Sequence, residues 1–73
     1  MMSNRERLVY MANQIARNLA AHGEAIAVTE TANHIAQFWD PRMRQTIFEC
    51  GADDGLEPVA LAAVDRLRAA AAA

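Results

Sequence analysis

The run Phe38-Trp39-Asp40-Pro41-Arg42-Met43-Arg44 limits the fold of this chain more than any other feature. Asp followed by Pro reads as a helix N-cap and first helical position. The carboxylate accepts from the free N–H groups of the first turn, and proline has no N–H there to leave unpaired. The aromatic pair therefore ends one element and the arginines open the next. An obligatory corner falls near the middle of a 73-residue chain, too short for more than one domain.

The periodicity on both sides of that corner is helical, with no run of alternating β-branched residues. Ser3 and Glu6 have the spacing of a capping box. A first helix is expected from about Asn4 to Ala21, with Leu8, Met11, Ala12, Ile15 and Leu19 as its inner stripe and a stop at His22-Gly23. A second runs from Glu24 or Ala25 to Phe38, burying Ala25, Val28, Ala32, Ile35 and Trp39. A third starts at Pro41 and stops at Gly51, burying Met43, Ile47 and Cys50. Ala52-Asp53-Asp54-Gly55 is a turn. The fourth begins at Pro58 behind a poor cap, Glu57, with Leu56 and Leu61 spaced as a hydrophobic staple. Its inner face is Val59, Ala63, Val64 and Leu67. Ala69 to Ala73 is low-complexity, either a frayed helical tail or disordered. Four helices with short connections make an all-α, small compact bundle, a single helical domain over residues 1–73.

Composition excludes several functions. A formal net charge of −2 and a pI near 5.5 argue against a nucleic-acid or anionic-membrane surface, which needs a dense basic patch. No apolar run approaches the roughly 20 residues of a membrane span, and the N-terminus lacks the apolar region of a signal peptide. A cytoplasmic location is the expectation. One cysteine and two histidines are too few for a structural zinc site and cannot make an internal disulfide. Cys50 lies in a last helical turn, where the negative end of the helix dipole disfavours a thiolate. His22 and His34 do not have the spacing of a helical metal pair. Asp53-Asp54-Gly55 lacks the alternating ligands of a calcium loop. No catalytic, cofactor or metal residues are expected.

The outward stripes are then the place for function. At about 100° per residue, Tyr10, Asn13, Gln14 and Arg17 line up opposite the first helix's inner stripe. Ile26, Glu30, Asn33 and Gln37 do so on the second. Phe38 is turned about 100° from Trp39 and either covers the corner or anchors in a partner. Phe48 falls on the outer side of the third helix with Arg44. Tyrosine, tryptophan and arginine are the residue types most enriched at binding hot spots. Outward apolar surface in so small a domain points to association. Asp40 and Pro41 are read as the structural cap. Arg42 and Arg44, about 200° apart, cannot serve one contact, so one braces the corner and the other reaches a partner. Every basic residue is arginine, either through genome composition or because arginine suits fixed bidentate contacts.

The heptapeptide resembles the delta subunit of soluble NAD-dependent molybdenum or tungsten formate dehydrogenases. Met11-Ala12-Asn13-Gln14-Ile15-Ala16 matches that family's first-helix pattern. Asn33-His34-Ile35 leads into the aromatic corner as in the family. Gly55-Leu56-Glu57-Pro58 matches more loosely, with glutamate where aspartate is usual. The likeness covers roughly residues 7–68. It implies a non-catalytic accessory subunit that binds no cofactor itself and stabilises a large catalytic subunit. The partner subunits would carry bis-molybdopterin guanine dinucleotide, iron–sulfur clusters and FMN. On this reading Tyr10, Asn13, Gln14, Arg17, Phe38, Trp39, Arg42, Arg44 and Phe48 are the partner-binding candidates. The alternatives are a free-standing helical interaction module or an assembly chaperone. A helix-turn-helix DNA binder reading with the third helix is disfavoured by the acidic balance.

Overall fold

A computed structural model describes residues 1–73, and all four helices are present. They are α1 (Asn4–Leu19), α2 (Glu24–Phe38), α3 (Pro41–Phe48) and α4 (Pro58–Ala72), with short 3-10 turns at Ala20–His22 and Ala52–Asp54. Both arms of the α1 capping box form: Glu6 N–H donates to Ser3 Oγ and Ser3 N–H to Glu6 Oε1, each at 3.1 Å. Those bonds hold the Glu6 carboxyl below its ordinary range. Gly23 and Gly55 have φ of 94° and 98°, values that L side chains rarely adopt, so these two connections depend on glycine.

α2 packs most extensively on α4, while α1 lies against α2, α3 and the start of α4. Small buried side chains line the main seam: Ala27, Thr31 and Ala32 on α2, and Ala60 and Ala63 on α4. Small side chains let helix axes approach closely. Arg66 closes one edge, donating to Thr29 Oγ1 at 2.8 Å. Leu8, Val9, Ala12, Ala16, Ile35, Trp39, Ile47, Cys50, Leu56, Ala60 and Val64 form one continuous core.

Several sequence expectations need correction. α1 ends at Leu19 and tightens into the 3-10 turn, and its buried set is Leu8, Val9, Ala12, Asn13 and Ala16. Met11 and Ile15 pack only at the core's edge. Because α1 touches three neighbours, its buried band is wider than one stripe and is rotated toward α4. Ala25 is exposed, and Ala27 and Thr31 are buried in its place. α3 stops at Phe48, short of Gly51, whose φ of −143° is extended rather than left-handed. Glu49 and Cys50 N–H groups turn back to Thr46 and Ile47 carbonyls at 3.1 and 3.0 Å, the i→i+3 pattern of a closing turn. α4 stays helical through the alanine tail to Ala72.

The exit of α3 is closed by guanidinium groups from α1 and α4. Arg68 donates to the Phe48 and Cys50 carbonyls, each at 3.0 Å. Arg5 donates to the Glu49 carbonyl at 2.7 Å and pairs with Asp54 at 3.3 Å. Guanidinium forks thus satisfy the carbonyls that α3 leaves free, and their charge complements the negative helix end. No helix is long and apolar enough to cross a membrane.

Candidate partner-binding surface

The corner between α2 and α3 is built as its sequence implies. Trp39 caps α2 in an extended conformation, its N–H donating to Ile35 O at 3.1 Å. Asp40 Oδ1 accepts from Met43 N–H at 2.8 Å, and Pro41 occupies the first helical position. Arg44 Nη1 donates back to the Trp39 carbonyl and, at 3.5 Å, to Ala36 O. Arg44 is therefore the bracing arginine. Arg42 is exposed, and of the seven basic residues it alone makes no side-chain hydrogen bond or ion pair.

The candidate residues separate into two groups. Trp39 is 4% exposed and lies in the core, so its indole stabilises the corner and does not face a partner. Phe48 is half-buried against that core and not on the outer face; its backbone carbonyl accepts from Arg68 of α4 at 3.0 Å. Asn13, read from periodicity as outward, is 9% exposed. Its Nδ2 donates to Gly55 O and its Oδ1 accepts from Glu57 N–H, both at 2.9 Å. The amide thus clamps the backbone on either side of buried Leu56. Gln14 is half-buried and accepts from Arg17 at 3.4 Å. Arg17 is committed to Glu57 through a two-pronged ion pair. That pair raises the Arg17 pKa and lowers that of Glu57. An open groove of about 250 Å³ beside it, lined by Ala16, Ala20, Pro58 and Val59, belongs to this α1–α4 tie.

Tyr10, Ile26 and Phe38 remain uncovered at 51, 53 and 70% exposure. Two of them are on α2. Along its outer side Ile26, Glu30, Asn33 and Gln37 follow at successive turns, flanked by His34 and Phe38, and all are exposed. The His34 and Phe38 rings stack at 4.8 Å with a 45° tilt. With Leu19 of α1, Glu30, Asn33, His34, Gln37 and Phe38 line a shallow groove of about 210 Å³. Leu19 and His34 were not singled out for this face. A sequence signal for it did exist: α2 carries Glu24 and Glu30 but no lysine or arginine, whereas α1, α3 and α4 each carry arginines.

Cys50 is buried, its Sγ donating to Thr46 O at 3.5 Å, and burial pushes its thiol pKa up, away from a reactive thiolate. No group of three or more His, Cys, Asp or Glu is placed to hold a metal. The profile of one protein family, described as NADH-dependent formate dehydrogenase delta subunit FdsD, matches residues 7–64. No curated protein and no solved structure matches the chain.

Proposed function

This chain belongs to the NADH-dependent formate dehydrogenase delta-subunit family, and from that premise we propose that it is a non-catalytic subunit that docks on and stabilises the large catalytic subunit. The complex would be cytoplasmic. Its other subunits would carry the bis-molybdopterin guanine dinucleotide centre with molybdenum or tungsten, the iron–sulfur clusters and FMN.

The observation that carries the reading is the corner. Asp40, Pro41, Trp39 and Arg44 hold its backbone by a cap, a fixed φ, a buried ring and a guanidinium brace. That effort leaves Phe38 and Arg42 outside, an aromatic and an unpaired cation on rigid backbone. Preorganised anchors bind well because little side-chain and loop entropy remains to be lost. A protein that binds only the folded, cofactor-loaded partner stabilises that form by mass action.

The test is the native mass of the complex purified from cells through its large subunit. One copy of this chain per catalytic chain is expected, with loss of stable holoenzyme when the chain is deleted. A mature complex that lacks the chain yet depends on it during biogenesis would make it an assembly chaperone. Normal holoenzyme after deletion would refute the stabilising role.

A further inference from the structure

We propose that the outer face of α2, from Ile26 to Phe38, is the docking surface, and that it seats on a basic protein surface. That surface would have an apolar pocket for Phe38 rimmed by arginine or lysine side chains that reach Glu30. The inference rests on the accessory-subunit reading and specifies its surface.

Charge bookkeeping within the chain leads to this partner. Most carboxylates already have a ligand here: Glu6 caps α1, Asp40 caps α3, Asp54 and Glu49 meet Arg5, Glu57 meets Arg17 and Asp65 meets Arg68. Glu24, Glu30 and Asp53 have none. Two of these three lie on α2, the helix without a cation. Glu30 lines the groove whose other members are Leu19, Asn33, His34, Gln37 and Phe38. An unpaired carboxylate beside an exposed aromatic, framed by two amides, matches a partner that offers a cation next to an apolar hollow. The face runs about 18 Å from Ile26 to Phe38 at 1.5 Å per residue, enough for the core of a small interface. Ile26 and Phe38 stand at its ends, so the contact has two apolar anchors with the Glu30 carboxylate between them.

The same features argue against a second copy as the occupant. Two α2 faces brought together would set carboxylates against carboxylates with no cation on either side. The one free arginine, Arg42, lies beyond the corner on α3.

The experiment uses the co-expressed complex, purified through the large subunit, with this chain's occupancy read by native mass across a dilution series. Circular dichroism of each variant chain confirms the helical fold. Phe38→Ala is expected to weaken retention about thirty-fold, as for a hot-spot aromatic. Glu30→Arg is expected to weaken it about ten-fold at low salt, with the difference narrowing as salt screens the charge. Asp53→Arg reverses an equally unpaired, exposed carboxylate outside α2 and should retain wild-type occupancy. Folded Phe38→Ala and Glu30→Arg chains that stay bound like wild type would overturn the α2 face while leaving the subunit reading intact. Loss of binding in Asp53→Arg to the same extent as in Glu30→Arg would also overturn it. Absence of the wild-type chain from the complex would instead sink the accessory-subunit reading itself. A self-associated chain in place of the complex would identify a second copy as the occupant and refute the basic partner.

Discussion

Replacing Asn13 by alanine should unfold this protein more readily than any other polar-to-alanine change on α1. The amide makes two hydrogen bonds of 2.9 Å, one to the Gly55 carbonyl and one from the Glu57 N–H. Each is worth about 1 kcal/mol net, and leaving two partly buried backbone groups unpaired adds about 1 kcal/mol more. The expected loss is therefore about 2–3 kcal/mol. A domain of this length has a total of about 4–11 kcal/mol, at roughly 0.05–0.15 kcal/mol per residue. At about 4–8 °C per kcal/mol, the midpoint of thermal unfolding should fall by roughly 10–20 °C. Urea and thermal unfolding of the full chain, followed by far-ultraviolet circular dichroism, measure this directly. Asn13→Asp keeps the acceptor for Glu57 but turns the donor into a second acceptor facing a carbonyl, so it should lose at least as much. Gln14→Ala, one residue along, should stay within about 0.5 kcal/mol. If Asn13→Ala also stays within that margin, the clamp around Leu56 is not holding the α1–α4 junction. Asn13 would then return to the set of outward, partner-facing residues.

Two further outcomes follow from buried and charged groups. Thr31 is fully buried and its hydroxyl has no partner, so Thr31→Val, of nearly the same shape, should stabilise the chain by about 1 kcal/mol in urea titration; a loss of that size would show that the hydroxyl is satisfied. The Glu6, Asp54 and Glu57 carboxyls are all held below their ordinary range, by Ser3, by Gly51 N–H and Arg5, and by Arg17 respectively. Because the folded state favours their charged forms, their contribution is present above the unfolded carboxylate range of about 4 and is lost as pH falls through the lower folded values. Thermal midpoints should therefore decline on acidification. Glu57→Gln should shrink that decline, and an unchanged profile in that variant would refute the link.

What could be read from the sequence was local chemistry. The Ser3/Glu6 box and the Asp40-Pro41 start depend on residues three apart or adjacent, and both formed as their spacing implied. Which arginine braced the corner could not be read, because the acceptors of Arg44 are backbone carbonyls of α2 that have no sequence signature. Asn13 was misplaced for a related reason: helical periodicity sorts residues by polarity, and a buried amide that holds a distant turn looks like a wet one. The weak cap at Glu57 was the available hint. A turn without its own side-chain ligand had to obtain one elsewhere, and Asn13 supplied it. Phe48 shows the limit from the other side, since the number of neighbours around a helix decides how wide its buried band becomes.

The first helix is stitched to the far half of the chain. Arg5 reaches Glu49 and Asp54, Asn13 reaches Gly55 and Glu57, and Arg17 reaches Glu57, with sequence separations of 40 to 49 residues. None of those side chains bonds to α2, its successor in sequence. Hence a fragment that ends before the second proline leaves α1 with an unmatched polar seam, and the α1–α2 pair should not persist as a hairpin. Although built only of helices, the protein closes late, when its last third comes back to meet its first.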